Sequence, residues 1–584
     1  MFLVTTALED FWDKSQKILF LGEWCKLYKR KEEWEKLDYK MLPYHWDDRS
    51  AFYRDYLYMK EVYEKYIRCL SYKLNEVHNV DFSLNYWRII IGPWLYYFIQ
   101  IFYDRYLSIK TAADSALVDN AWITRTDKVN FIPNDFPEFG GLFINDSYNH
   151  YIYSYLIETL GNIHFEFIEY DLPIYKKKKV RTKDIIKHIL AFPGKYLPSN
   201  NNRYVIVESL SLLDLIKLNY FLGQYPYISK PSVNPGEFSV NFQLRKKLSL
   251  KIGNTQFESI LDKFIVSQIP KAYIEGYSHL ANNSLWFFPK KPKLIFTATA
   301  HESNECFKFW AAYKKEYGAK LVISQHGGHY GTGLFSRRED HEIEISDYYF
   351  SWGWQDNEKP KVVPIASGAL GKLMRKRKRC VNGHILWAAM SVPRYFYLMH
   401  SFVVGPQWLD YLDEQKRFSE AVLPEVHELL LLRLSPDDCE LNQVDRWKDI
   451  DPRLKLYFGR ESMLKQAQKS RLFIATYNGT TYLQTFALNH PTVIFWNPNY
   501  WELREAAQPC FDELRNVGIL HDTPESAASK VNEIYHNPYM WWQQAHIQNA
   551  KNRFSERFAK TSNNWMDDWA RMFKRIIGND GCNP

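Results

Sequence analysis

A strand–helix–strand unit that ends in a glycine- and histidine-rich turn constrains this chain more than any other feature. Lys293-Leu-Ile-Phe-Thr-Ala298 reads as a buried strand, Cys306 to Tyr317 as a helix closed by Gly318, and Lys320 to Ser324 as the next strand. Short apolar runs separated by a helical segment are the pattern of a parallel sheet. The second strand runs directly into Ser324-Gln325-His326-Gly327-Gly328-His329-Tyr330-Gly331. Ligands of open parallel sheets sit at the carboxyl ends of strands, where glycines let backbone amides approach an anion. A second glycine- and hydroxyl-rich turn, Thr476-Tyr-Asn-Gly-Thr-Thr481, follows the apolar run Arg471 to Ala475. Two such turns in successive α/β units predict one cleft between two domains.

The rest of the chain fits that expectation. At 584 residues it exceeds what one hydrophobic core supports. Further strands read at Tyr348–Gly353, His384–Met390, Leu429–Ser435 and Pro491–Trp496, and Tyr539 to Ile577 reads as a long amphipathic helical region. The basic segment Lys372 to Arg379 reads as a linker or exposed helix. The predicted domains are therefore 1–375, an N-terminal α/β unit with helical insertions, and 380–584, a C-terminal α/β unit whose last helices pack back on the first. Ahead of these, Lys17 to Gly22 reads as the first strand of a parallel sheet and residues 50–110 as helices. Residues 198–240, rich in Pro, Asn, Gly and Ser, read as an insertion or long loop.

Composition excludes several classes. A net charge of +8 is too mild for a nucleic-acid footprint. Seven scattered cysteines include no Cys-x-x-Cys pair, so neither a disulfide framework nor a zinc site is predicted. The N-terminus lacks a signal-peptide pattern, and Ile89 to Tyr103, interrupted by Gly92-Pro93, is too short to span a bilayer. It reads as a buried helix or an interfacial contact. The expectation is a cytoplasmic protein, with peripheral contact at the inner face of the membrane as a further possibility. Lys176 to Lys179 reads either as a solvated loop or as a contact with acidic lipid.

The candidate site residues follow from the two turns. Gln325, His326, Gly327, Gly328 and His329 offer imidazoles and open backbone to a phosphate or carboxylate. The plain alternative is a tight turn with His326 bonded to backbone. Thr476, Asn478, Gly479, Thr480 and Thr481 offer hydroxyls and amides at a helix start, and ordinary N-capping is the alternative. Glu302, just past the Leu294–Ala298 strand, reads either as a general base or as a helix cap. Glu23 and Trp24 end the first strand, and His45, Asp47 and Asp48 lie in Tyr44-His-Trp-Asp-Asp-Arg49. These suit acceptor binding or base catalysis, with helix capping by the aspartates as the alternative. Arg88, and Arg433 with Ser435, are further candidates. Walker, Gly-x-Gly-x-x-Gly, Gly-x-Ser-x-Gly and Asp-x-Asp motifs are missing, so neither a metal nor another cofactor is called for.

Leu3-Val-Thr-Thr-Ala-Leu-Glu9 with Phe11-Trp12, Leu21-Gly-Glu-Trp-Cys25, Tyr44 to Arg49, Tyr86-Trp-Arg-Ile-Ile-Ile-Gly-Pro-Trp-Leu95, Gln325 to Gly331 and Thr476 to Leu483 together resemble a family of transferases. That family is encoded in bacterial O-antigen and surface-polysaccharide clusters. The resemblance implies a GT-B-like α/β architecture, two Rossmann-type domains facing across a cleft, with extra helices in the first. His326, Thr480 with Thr481, and His490-Pro491 are also similar to the turns of capsule Kdo transferases and GT-B sialyltransferases. Teichoic-acid polyol-phosphate transferases carry a comparable turn. Both comparisons imply a cytidine nucleotide, with Arg433, Ser435 and the Thr476–Thr481 turn on the donor. Gln484 stands where many GT-B enzymes place a ribose-binding Glu, which makes a UDP-hexose less comfortable. The implied function is a metal-independent glycosyltransferase that moves a nonulosonic acid such as pseudaminic acid from CMP to a glycan or lipid-linked oligosaccharide acceptor. A CDP-polyol phosphotransferase, a UDP-hexose glycosyltransferase and a non-catalytic polysaccharide-binding assembly protein are the alternatives.

Overall fold

The computed structural model describes residues 1–126, 128–173, 203–208, 210–227, 235–374, 380–459 and 461–578. Three parallel sheets organise them, and the residues around each sheet are called the first, second and third domains in turn. The first contains β1 (Phe2–Val4), β2 (Ile18–Phe20), β3 (Tyr39–Met41), β4 (Asn120–Ile123) and β5 (Phe165–Phe167), in the order β3-β2-β1-β4-β5. The second contains β6 (Tyr204–Val207), β7 (Leu294–Thr297), β8 (Lys320–Ser324), β9 (Tyr348–Ser351) and β10 (Val362–Pro364), paired in simple succession. The third contains β11 (Ile385–Ala388), β12 (Leu430–Arg433), β13 (Lys455–Tyr457), β14 (Leu472–Ala475), β15 (Thr492–Phe495) and β16 (Leu520–His521), ordered β13-β12-β11-β14-β15-β16.

The predicted α/β class is correct. β7, β11 and β14 are buried along their whole length, as strands covered by helices on both faces must be. The region ahead of 375, however, holds two sheets where the sequence suggested one with insertions. Four of the five strands of the first sheet are three residues long, too short to register as apolar runs. Lys17–Gly22 supplies the second strand in chain order, since Phe2–Val4 precedes it and pairs with it in parallel. Residues 198–240, expected to be loop, include β6 and the helix Leu212–Phe221. Lys176–Lys179 and most of the Lys372–Arg379 segment lie outside the described residues.

Two long helices, Arg49–His78 and Leu84–Asp114, bridge β3 to β4. The second is buried almost all round and packs against the helices Glu305–Glu316 and Arg337–Ile345 of the second domain. Ile89–Tyr103 is thus the buried helix the pattern predicted, and its apolar faces are satisfied by neighbouring helices. No helix of the described residues is long and apolar enough to cross a membrane. The final helix, Trp565–Gly578, leaves the third sheet and covers the second, with Phe296–Trp569 ring centroids 4.8 Å apart.

One irregular stretch ties the three sheets together at their carboxyl ends. After β11 the chain runs from 389 to 404 as a strap. Arg394 reaches Asp146 of the first domain at 2.8 Å and Glu440 of the third at 2.6 Å. Arg105 donates to the Phe396 carbonyl at 3.0 Å, and Gln100 accepts from the Met399 amide at 2.7 Å. Further along, Ser401 accepts from the Phe335 amide at 3.1 Å, which brings in the second domain.

Candidate functional site

The carboxyl ends of β7 and β8 carry a compact ionisable cluster. At its centre is Glu342, fully buried on the helix Arg337–Ile345. It accepts from the hydroxyls of Tyr330 at 3.0 Å and Tyr349 at 3.2 Å. The imidazoles of His326 and His301 approach the same oxygen at 3.5 and 3.6 Å. The His326 side chain keeps 22% of its surface exposed, while Glu342 keeps none. Burial pushes the His326 imidazole below its ordinary value, against the pull of Glu342, so it is neutral near pH 7. His329, deeper in the same turn, is driven down to about 3 by burial.

Glu302 lies beside this cluster and is already engaged. Arg338 pairs with it at 2.8 Å and Tyr97 donates to it at 3.1 Å. Burial alone would raise its carboxyl, but Arg338 and the nearby imidazoles outweigh that and leave it below the usual range. It is a fixed anion more than a proton acceptor.

The two turns meet, and they do so by spending their polar groups on each other. The Gly328 amide donates to Thr480 Oγ1 at 3.0 Å, and Asn478 donates to Thr332 Oγ1 at 3.0 Å. A Cβ on Gly328 would lie 2.4 Å from the Gly479 carbonyl carbon. Glycine is needed at 328 because two backbones pass there, a cause unrelated to any ligand. Gln325 is also consumed: it accepts from the Trp352 amide at 2.9 Å and from Trp354 Nε1 at 2.8 Å, and it donates to the Gly327 carbonyl at 2.8 Å. Thr476 is buried, donating to the Ala388 carbonyl at 2.8 Å and paired with the Tyr411 hydroxyl at 2.6 Å.

Beside the junction lies a cavity of about 300 Å³. It is lined by Ala388–Ser391 after β11, Arg433–Pro436 after β12, and Tyr477 and Thr481 after β14, with Phe402 and Met463. Those strands flank the point where the third sheet reverses its winding, β11 running to β12 on one side while β14 lies on the other. Crevices at that reversal are where doubly wound sheets take ligands. Arg433 faces the Tyr457 ring at 5.5 Å and bonds Gln466, which holds the guanidinium at the rim. The Thr481 hydroxyl is buried beside Tyr477, at the start of the helix Thr480–Ala487. His400 joins cavity to cluster: its ring stacks on Phe402 at 4.8 Å and meets His329 edge-on at 6.0 Å.

Several sequence candidates lie elsewhere. Trp24 is buried and donates to the Thr5 carbonyl at 2.9 Å, while Glu23 pairs with Lys26 at 3.3 Å. His45 meets buried Asp104 at 3.3 Å. Asp48 caps the helix Arg49–His78 by accepting from the Ser50 amide at 2.9 Å. Arg88 is held by Glu64 at 2.8 Å and Glu344 at 3.2 Å, leaving no free fork for an acceptor. Asp47 accepts from Gln407 at 3.3 Å, on the third domain rather than beside His326. His490 precedes β15, so it sits at the amino end of the sheet, buried against Ser470 at 3.0 Å. Gln484 is half-buried one turn into the helix Thr480–Ala487. Among the described residues no group of three or more His, Cys, Asp or Glu side chains is disposed to hold a metal.

Sequence reasoning missed Glu342, Arg338, His400 and the whole 389–404 strap. Glu342 carried a faint signal, since His341-Glu-Ile-Glu344 crowds ionisable groups into a helix whose residues are mostly buried.

Residues 1–573 match the model of the LIC12162 family transferases. The chain belongs to that family. The surface-polysaccharide resemblance read from the motifs is narrower than this assignment. No curated protein matches the transferase. Among solved structures it is similar to OtsA in its apo form, at 12% identity over 54% of this chain and 80% of that one, with a TM-score of 0.31. It is similar also to MurG of Acinetobacter baumannii, at 8% identity over 67% and 96%, with a TM-score of 0.30. A third is the spinosyn rhamnosyltransferase SpnG complexed with thymidine diphosphate, at 12% identity over 64% and 100%, with a TM-score of 0.29. Overlaps at these TM-scores carry no argument about function.

Proposed function

We propose that this transferase is a glycosyltransferase of bacterial surface-polysaccharide synthesis. Its donor is a nucleotide-activated sugar, with a CMP-linked nonulosonic acid such as pseudaminic acid as the first choice. Its acceptor is a glycan or lipid-linked oligosaccharide. The cavity at the winding reversal of the third sheet is the observation that carries this reading. It offers a nucleotide an apolar floor, a cation at Arg433, and hydroxyls at Ser435 and Thr481.

Chemistry falls to the neighbouring cluster. The acceptor oxygen bonds the anomeric carbon, the bond from that carbon to the phosphate oxygen breaks, and the nucleotide departs as its phosphate. The hydroxyl proton needs an acceptor. A neutral, partly exposed imidazole backed by a buried carboxylate suits that role, because Glu342 stabilises the imidazolium that forms. The sequence reading gave His326 the departing phosphate and gave the proton to Glu302 or Asp47. A neutral His326 is a weak anion holder and Glu302 is a poor base, so the roles shift: His326 takes the proton, and Arg433 with the helix start at Thr480 meets the phosphate. Closure of the domains over the donor would exclude water.

Mass spectrometry of the purified protein with CMP-nonulosonates and an oligosaccharide acceptor tests this reading. The expected product is acceptor extended by one sugar residue, absent with His326→Ala. No extension with cytidine-, uridine- or guanosine-linked sugars would overturn it.

A further inference from the structure

The helix Leu212–Phe221 is apolar on two faces, and among the described residues only one of them is covered. Leu215, Leu218 and Leu222 pack with Phe573 and Ile576 in the core that covers the second sheet. On the opposite side Leu212, Leu213, Ile216 and Tyr220 face solvent, with Leu213 71% and Tyr220 80% exposed. At helical spacing these four span about 100° of the helix surface, a continuous apolar stripe. A stripe of large side chains in water is unfavourable, and soluble surfaces rarely keep one without a use.

Its neighbour supplies the second observation. The helix Trp565–Gly578 lies alongside, buries Trp569 and Phe573 against the sheet, and turns Arg571, Lys574 and Arg575 outward. Arg571 is paired with Asp567 and Asp568 on its own helix. Arg571 and Arg575, with Lys560, also line an open groove of about 580 Å³. Lys217 adds an exposed cation at the edge of the apolar stripe. One surface therefore sets an apolar ridge beside a cationic one. An apolar ridge with adjoining cations complements a surface that is apolar beneath and anionic above.

We propose that this two-helix surface docks the transferase on an anionic lipid bilayer, with Leu213, Ile216 and Tyr220 entering the headgroup boundary and Lys574 and Arg575 meeting lipid phosphates. The surface lies far in sequence from Lys176–Lys179 and from Ile89–Tyr103, the two segments whose composition suggested membrane contact. The inference is independent of which sugar is transferred. It places the enzyme where a lipid-linked acceptor is held.

The test is co-sedimentation of the full-length protein with vesicles of phosphatidylcholine, with and without phosphatidylglycerol. Binding is expected only to vesicles containing phosphatidylglycerol. L213D with Y220D, and separately K574E with R575E, should each weaken it on the order of tenfold or more while leaving the melting temperature near that of the wild type. Light scattering on the same samples provides the rival outcome. No binding, binding indifferent to both double variants, or a dimer that L213D with Y220D dissolves would each overturn the proposal.

Discussion

The carboxyl ends of the second and third sheets face each other across the Gly328–Thr480 contact, yet they are built on opposite plans. Around Glu342 two tyrosines donate to one buried carboxylate and two histidines approach it, while the Nδ1 atoms of His326 and His301 stay buried without a hydrogen-bond partner. The third-sheet cavity instead disperses its polar groups around an opening, with the Arg433 guanidinium at the rim, bonded to Gln466, and the hydroxyls of Ser435 and Thr481 in its wall. The first arrangement is preorganised and fixes an imidazole. The second leaves space that, on the proposed reading, a nucleotide would fill.

That contrast makes distinct demands on variants. The largest effect is expected at His326. His326→Ala should lower the turnover number by about 10²–10⁴-fold, the usual contribution of a general base, with nucleotide affinity little changed. Equal losses in affinity and turnover would place His326 in the binding region instead. Gly328→Ala comes next. Its methyl would lie 2.4 Å from the Gly479 carbonyl carbon, so the two turns must part at a cost of about 3 kcal/mol or more, read from urea unfolding. Unchanged stability would mean the turns are not locked together.

A smaller effect is expected at Arg433. Arg433→Ala should weaken nucleotide binding by about 1.5–3 kcal/mol, the range for a charged hydrogen bond, while leaving the fold intact. Counted per histidine and per pH unit, the smallest is the pH response. Burial lowers His150 to about 3 and His490 to about 4, below the ordinary value near 6.5. The unfolded chain therefore binds protons first as pH falls through 6.5, and the stability present above that value is progressively lost toward pH 4. Each such histidine contributes up to about 1.4 kcal/mol per pH unit. Melting temperatures measured from pH 7 to 5 should decline, and His490→Gln should flatten part of the slope. A flat profile in the wild type would contradict the burial of these imidazoles.

Much of this was legible in the chain. The alternation from Lys293 onward gave both the parallel sheets and the two turns, because strands buried on both faces are continuous apolar runs. The meeting of the turn after His326 with the turn at Thr480 was foreseen for the wrong reason. Glycines and hydroxyls were read as an anion cradle, but Gly328, Asn478 and Thr480 hold the turns to each other, and composition alone does not separate those uses. Asp48 proved a helix cap, the plainer of its two readings, and Arg88, offered only as a candidate, proved an internal ion pair. Glu342 escaped because its role depends on what surrounds it: Tyr330, Tyr349 and two imidazoles arrive from other elements. The first sheet escaped because three-residue strands carry no periodicity.

The account stands on the claim that the cavity lined by Arg433, Ser435 and Thr481 holds the nucleotide while His326 acts beside it. Calorimetric titration of CMP into the wild type, Arg433→Ala and His326→Ala measures this directly. The prediction is saturable binding by the wild type and His326→Ala, and an affinity at least about tenfold weaker in Arg433→Ala. CMP binding that survives the loss of Arg433 but disappears with His326 would contradict it.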